Sequence, residues 1–201
     1  MLTKLKAKIQ QMLTTEAKAA HKAGLTPNRI SVIGIIFAFF SALTYAEWQW
    51  HPLSLALATI LLLLSGFCDV LDGVVARLQN EATAFGGFLD SLLDRYADAA
   101  VYAGIVLGGL CDLTWGLAAI IGALLVSYSR ARAEAAGVKM ESVGLIERAE
   151  RIIILAIATT TAIFWLPALN IGIIITAVLS NLTVLQRSVH VYNVLKKKET
   201  S

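Results

Sequence analysis

The chain has 201 residues, of which 57% are hydrophobic and only 15% charged, with a formal net charge of +3. A soluble domain usually carries about a quarter charged residues, so this composition excludes that class, and no nucleic-acid partner is expected. Apolar stretches near twenty residues recur instead, each about the length needed to cross roughly 30 Å of hydrocarbon.

Residues 1–24 do not read as a signal peptide, because Lys4, Lys6, Lys8, Lys18 and Lys22 are spread along them and no apolar core appears. Leu2, Leu5, Ile9, Met12 and Leu13 recur at three- and four-residue steps. That spacing predicts an amphipathic helix lying on the inner membrane surface, its lysines toward anionic headgroups; the plainer alternative is a partly disordered basic leader. Thr26-Pro27 then reads as an N-cap followed by proline at the first helical position. From there six spans are expected, at about 29–47, 53–76, 86–110, 115–135, 149–166 and 170–191. The fold class is an all-α integral membrane protein: a juxtamembrane helix (1–24), a six-helix transmembrane domain (25–195) and a basic cytoplasmic tail (196–201) holding Lys196, Lys197 and Lys198.

If the first span starts on the cytoplasmic side, the opposite-face connections are 47–52, 111–114 and 166–170, and none contains Lys or Arg. All 17 basic residues fall on the other side or at helix ends next to it. The positive-inside rule therefore predicts a multi-pass protein of the cell membrane with both termini in the cytoplasm. Trp48, Trp50, Trp115 and Trp165 fall at the opposite interface, where an indole keeps its N–H wet and its ring in lipid. Pro52 and Pro167 mark turns there. Cys68 and Cys111 lie near opposite faces, which a helix of about 25 residues separates by about 35 Å, well outside disulfide reach. His21, His51 and His190 are scattered, and none is expected to bind metal.

The densest chemical signal is Asp69-x-x-Asp72-Gly73-x-x-Ala76-Arg77, then eight residues, then Gly86-x-x-x-Asp90-x-x-x-Asp94. A lone Asp at a helix start is often solvated or complements the dipole. Four carboxylates near lipid are different, since each costs roughly 2.5 kcal/mol or more at the bilayer centre. At 100° per residue Asp69, Asp72, Gly73 and Ala76 share one face of the second span, with Arg77 to one side. Gly86, Asp90 and Asp94 share a face of the third. A short reversal between them lets the faces oppose at the cytoplasmic boundary. Four hard oxygen ligands without a soft one suit Mg²⁺ or Mn²⁺. The small residues at 73, 76 and 86 would let a ligand approach the backbone, and Arg77 offers a fork for phosphate.

These residues resemble the signature of the CDP-alcohol phosphotransferases, D-x2-D-G-x2-A-R-x8-G-x3-D-x3-D, with every fixed position present. The resemblance implies six transmembrane helices, a homodimer, and transfer of the substituted phosphoryl group of a CDP-linked lipid to an alcohol with release of CMP. It implies two metal ions, Mg²⁺ or Mn²⁺, on Asp69, Asp72 and Asp90, with Asp94 as a further ligand or neighbour and as general base. It places Asp69, Asp72, Gly73, Ala76, Arg77, Gly86 and Asp90 around the CDP-lipid, with Pro27 and Asn28 nearby. Direct transfer is favoured over an enzyme-bound intermediate, because a metal-bound carboxylate is a poor nucleophile.

The segments 127–134 and 144–151 and the pair Gln186-Arg187 resemble the phosphatidylinositol-phosphate synthases and their archaeal counterparts. By that resemblance Arg130, Arg151 and Arg187 hold the phosphate of inositol 1-phosphate, with Arg132 and Arg148 as neighbours. Arg130 stands where such relatives often have Lys, replacing a point donor by a planar fork. The resemblance makes the donor CDP-diacylglycerol or CDP-archaeol. Read without it, these arginines snorkel to the headgroups or pair with Glu134, Glu147 or Glu150. Arg95 and Asp98 flank the motif and read as a local ion pair or a supporting pair. Alternative acceptors are glycerol 3-phosphate or serine. An alternative of another class is a cation transporter or channel, which would more naturally carry carboxylates near the midplane.

Overall fold

The computed structural model describes residues 13–140 and 143–199. Among these residues it is all helical, with no strand: α1 (Thr14–Lys22), α2 (Pro27–Ala46), a 3₁₀ turn (Trp48–Trp50), α3 (Ser54–Leu78), α4 (Ala84–Leu107), α5 (Leu113–Ala135), α6 (Arg148–Ala162) and α7 (Pro167–Glu199). Thr26 caps α2 as its sequence predicts, its hydroxyl accepting from Arg29 N at 3.4 Å with Pro27 opening the helix. Thr83 caps α4 in the same way, accepting from Gly86 N at 2.9 Å.

Among the described residues, four helices are long and apolar enough to cross a membrane: α2, α3, α5 and α7. The other two expected spans fall on α4, which carries Asp90, Asp94, Arg95 and Asp98, and on α6, which has 15 residues. The molecule is inverted relative to a soluble protein. Phe39, Phe40, Leu43, Ile60, Leu117, Ile157 and many other large apolar side chains face outward, while Ser41, Thr59, Ser65, Thr159, Thr176 and Ser180 are buried. Lipid gives helices no hydrophobic reason to associate, so close packing and interhelical hydrogen bonds must hold them. Ser41 Oγ donates to the Ala58 carbonyl at 2.9 Å, Tyr45 and Thr159 hydroxyls meet at 2.7 Å, and Asn181 Nδ2 donates to the Ala118 carbonyl at 3.2 Å. Glycines bring backbones together: a Cβ on Gly104 of α4 would lie 2.2 Å from the Ala42 carbonyl oxygen of α2.

Helix α2 packs against both α3 and α4, α5 against α7, and α6 against α3 and α7. Short α1 buries Ala17 against a cluster formed by Ile30 of α2 and Leu71, Val74 and Val75 of α3, with Leu13 and Ala20 at its edge. The remaining positions that predict an amphipathic N-terminal helix, Leu2, Leu5, Ile9 and Met12, lie outside the described residues. Cys68 and Cys111 are free thiols.

Helix α7 departs most from expectation. Its 33 residues extend about 50 Å, running through Lys196, Lys197 and Lys198, where the sequence suggests a separate tail. The C-terminal half of α7 holds the connection between α5 and α6. Thr183 Oγ1 accepts from Leu145 N and Ile146 N at 3.1 and 3.2 Å, Arg187 Nε donates to the Val143 carbonyl at 2.9 Å, and Lys198 Nζ donates to the Gly137 carbonyl at 3.2 Å. Val191, Val194 and Leu195 pack on the buried cluster of Ala133, Val138 and Met140. This bracing fixes where α6 begins.

The contact between α2 and α4 is testable. Gly104→Val should destabilise the protein by about 1–3 kcal/mol or more, because a packed backbone cannot yield to the added branch. Gly87→Ala, where a Cβ meets nothing within 4 Å, should leave stability unchanged or slightly raised. Thermal unfolding of both variants in one detergent makes the comparison.

Candidate active site

The site is built by the turn joining α3 to α4. Asn80, at φ +54°, takes the left-handed conformation that closes a helix end, and Glu81 N reaches back to the Ala76 carbonyl at 3.0 Å. This reversal brings Asp69, Asp72 and Asp90 together, with one carboxylate oxygen from each lying within 4.8 Å of the others. Three carboxylates this close repel strongly unless a cation sits among them. An all-oxygen donor set of this kind fits a hard divalent cation.

Asp72 is buried, and Ser31 of α2 donates to its Oδ2 at 2.5 Å. The Ser31 hydroxyl also lies 3.1 Å from the Pro27 carbonyl, so the start of α2 is tied to the carboxylate cluster. A side chain at position 86 would be tightly hemmed, since a Cβ on Gly86 would sit 3.0 Å from Thr83 Oγ1 and 3.2 Å from Asn28 Oδ1. Pro27, Asn28 and Gly86 therefore border one corner. The guanidinium of Arg77 lies over Gly73, its Nη2 3.4 Å from where a Cβ would be. Ala76, between them on α3, presents only a methyl group.

Asp94 stands apart from the three-carboxylate group. Its Oδ1 accepts from Arg148 Nη1, and its Oδ2 is 3.8 Å from Arg95. The same Arg148 Nη1 is 2.9 Å from Asp69 Oδ1, and Arg148 Nε is 3.4 Å from Asp98 Oδ1. Arg148 thus bridges α3 and α4 from the first turn of α6. The sequence offers Glu134, Glu147 and Glu150 as its partners; the structure assigns it three aspartates instead. Asp98 does not pair with Arg95, whose Nη1 donates to the Ser91 carbonyl. Asp98 binds Arg148 and also Arg151, whose Nη2 donates to Asp98 Oδ2 at 2.5 Å.

The three arginines assigned to the acceptor phosphate lie around the start of α6. Arg187 and Arg151 are each 2% exposed. Arg187 Nη1 donates to the Val126 carbonyl at 2.5 Å, and its Nη2 is 4.0 Å from Glu147 Oε1. Arg130 is exposed, 2.9 Å from Glu134 and 3.9 Å from the same Glu147 oxygen. Glu147 itself caps α6 in a reciprocal box with Glu150. Arg130 and Arg187 thus share one carboxylate, while Arg151 is held by a different one. Sequence reasoning passed over Ser31 and gave Arg148 too small a part. The available signals were the four-residue step from Pro27 to Ser31 and the three-residue step from Arg148 to Arg151, which put each pair on one helix face.

Comparison with known proteins places the chain in a family. The pattern of the family described as CDP-alcohol phosphatidyltransferase matches residues 24–187. The chain belongs to that family, and is a membrane-associated transferase of phospholipid synthesis. It is similar to the archaetidylinositol phosphate synthase of Pyrococcus horikoshii, 39% identical over 199 residues covering 99% of each chain. The corresponding synthase of Methanothermobacter thermautotrophicus is 42% identical over 178 residues, covering 88% of each. Among solved structures, the phosphatidylinositol phosphate synthase of Mycobacterium tuberculosis with CDP-DAG bound superposes with a TM-score of 0.77 at 31% identity, covering 90% of this chain and 94% of that one. The same enzyme in complex with manganese and citrate gives a TM-score of 0.76, covering 89% and 88%. Family membership sets aside the transporter alternative.

The hydrogen bond from Ser31 orients a candidate metal ligand, and such supporting contacts typically change metal affinity about 10- to 100-fold when lost. Ser31→Ala should therefore weaken Mn²⁺ binding by about tenfold while the protein remains folded. Titration of free Mn²⁺ by electron paramagnetic resonance reads this without substrate.

Proposed function

We propose that the protein transfers the phosphatidyl-type group of a CDP-linked lipid, with acyl or archaeol chains, to the hydroxyl of inositol 1-phosphate, forming a phosphoinositol-phosphate lipid and CMP. The observation that carries this reading is the convergence of Asp69, Asp72 and Asp90 beside arginines buried at the start of α6 and on α7. The first group suits a cation-held pyrophosphate, and the second suits an acceptor that carries a phosphate of its own. The names of the relatives support the same acceptor.

Asp69, Asp72 and Asp90 would hold the metal, with Asp94 as a further ligand, for two ions of Mg²⁺ or Mn²⁺. When bound, these ions neutralise the pyrophosphate and the departing CMP. Gly73, Ala76 and Gly86 leave backbone accessible for the cytidine and its phosphates, bordered by Pro27 and Asn28, and Arg77 supplies a fork to a phosphate oxygen. Arg130, Arg151 and Arg187 hold the acceptor phosphate and thereby orient its hydroxyl. Asp94 accepts the proton from that hydroxyl as its oxygen attacks the lipid-linked phosphorus. The phosphorus–oxygen bond to CMP breaks in the same displacement. An approaching hydroxyl must compete with Arg148 for the Asp94 oxygen, which places Arg148 beside the reacting atoms.

The same reading gives six membrane crossings by α2 to α7, with α1 as a juxtamembrane helix, 25–195 as the catalytic domain and 196–201 as the cytoplasmic end. Two contacts support the alternation. Trp48 Nε1 donates to the Gly108 carbonyl at 2.9 Å, and Asp112 and Asn170 exchange hydrogen bonds of 3.0 and 2.8 Å. They gather the three Lys- and Arg-free connections at one end. Both termini, the active site and the basic residues would then face the cytoplasm at the cell membrane, and the protein would act as a homodimer.

The test is CMP release by purified protein with CDP-diacylglycerol or CDP-archaeol and Mg²⁺, offering inositol 1-phosphate, free inositol, glycerol 3-phosphate and serine in parallel. Release is expected with inositol 1-phosphate alone; release with another acceptor and not with this one would overturn the specificity. Asp94→Asn should retain CDP-lipid binding and lose about 100-fold or more in kcat, the range of a general base. Arg187→Ala should raise the KM for inositol 1-phosphate by about tenfold or more, as expected for a lost charged hydrogen bond, with the CDP-lipid KM little changed.

A further inference from the structure

Asp98 lies outside the motif, one turn beyond Asp94 on the same face of α4, and joins the carboxylate cluster to the arginines. Its two oxygens are divided between two cations: Oδ1 is 3.4 Å from Arg148 Nε, and Oδ2 accepts from Arg151 Nη2 at 2.5 Å. Beyond this tether, Arg148 Nη1 reaches Asp69 and Asp94. Arg151 is buried with its Nε and Nη1 making no hydrogen bond among the described residues. Arg151 borders a small cavity of about 10 Å³ lined also by Asp98, Ser65 and Tyr102.

We propose that Asp98 is a positioning residue for the transfer: it restrains Arg148 from filling the carboxylates that take the metal, and it orients Arg151 for the acceptor phosphate. The acceptor half of this inference rests on the reaction proposed above. The physical basis is competition for one guanidinium. Asp98 anchors Arg148 at Nε, so only its far end is shared with Asp69 and Asp94. Without that anchor the whole positive charge is free to settle on those two carboxylates, where it opposes a divalent cation. Arg151 depends on Asp98 more simply. It is the only carboxylate within ion-pair distance of that guanidinium among the described residues, and a planar fork held at one nitrogen has its other donors aimed as well.

The test measures Mn²⁺ affinity of the full chain by electron paramagnetic resonance, without substrate, in four forms: wild type, Asp98→Asn, Arg148→Gln and the double variant. Asp98→Asn should weaken Mn²⁺ binding about tenfold when Arg148 is present. It should change it by less than about twofold when Arg148 is Gln, a coupling in the range seen within one ion-pair network. Asp98→Asn should also raise the KM for inositol 1-phosphate about tenfold, with the CDP-lipid KM within about twofold of wild type. An equal factor in the two backgrounds, or an unchanged acceptor KM, would overturn the inference. If Asp98→Asn alone does not fold, the double variant removes one charge of each sign, and its comparison with Arg148→Gln decides: a tenfold effect of Asp98 there sinks the proposal. Because the Mn²⁺ titration needs no turnover, failure of the proposed reaction would appear separately, as no CMP release by the wild type with inositol 1-phosphate.

Discussion

Charge beside lipid must be answered by charge, and the architecture around the site follows from that requirement. Asp69, Asp72, Asp90, Asp94 and Asp98 lie on two helices at one end of an apolar bundle. No surface salt bridge would hold such a group, since exposed pairs contribute about 1 kcal/mol at most. Here the answering cations come from α6 and are themselves largely buried: Arg148 lies between Asp69, Asp94 and Asp98, and Arg151 lies against Asp98. Removing one partner of a buried pair leaves an uncompensated charge and costs about 3–5 kcal/mol. The position of α6 is therefore tied to the acidic face of α4 as firmly as by any apolar contact.

That dependence explains two features of the fold that otherwise look unrelated. Helix α6 has only 15 residues and begins at Arg148 itself, so the first turn must be held in place by something other than its own length. The support comes from the C-terminal half of α7, which braces the preceding connection through Thr183, Arg187 and Lys198. Further into the bundle, small residues and hydroxyls bring helices into contact without apolar bulk, as at Gly104 against Ala42 and Tyr45 against Thr159. The large side chains are left for lipid. The candidate site sits at the end where polar groups gather, and rigidity comes from the close-packed remainder.

Much of this was legible in the sequence because it is local. The Thr26-Pro27 cap follows from spacing within one turn, and the convergence of Asp69, Asp72 and Asp90 from one-face spacing on two helices joined by a short reversal. What was not legible depends on contacts between residues distant in the chain. Arg148 has Glu134, Glu147 and Glu150 close in sequence, yet its partners lie about fifty or more residues away. Asp98 was visible as a neighbour of the motif on its helix face, but nothing local distinguishes a pairing with Arg95 from one with two arginines of α6. Lys196, Lys197 and Lys198 looked like a surface tail because charge composition records solvation and not whether a helix continues; packing of Val191, Val194 and Leu195 carries α7 through them.

The face of α4 that holds the site can be followed in steps of four: Gly86, Asp90, Asp94, Asp98, Tyr102. Each step advances about 6 Å and turns the row by about 40°, so it winds about 160° around the helix from Gly86 to Tyr102 and successive side chains meet different neighbours. Gly86 yields space to Asn28 and Thr83, Asp90 joins the carboxylate cluster, Asp94 meets Arg148, and Asp98 meets Arg148 and Arg151. Tyr102 ends the series, buried in the bundle. The drift of a straight helix thus spreads one repeated residue type over three environments: a cluster suited to metal, a carboxylate beside the reacting hydroxyl in the proposed transfer, and an anchor for arginines. A stricter seven-residue repeat would keep that row facing a single partner helix, and it could not divide the carboxylates among these tasks.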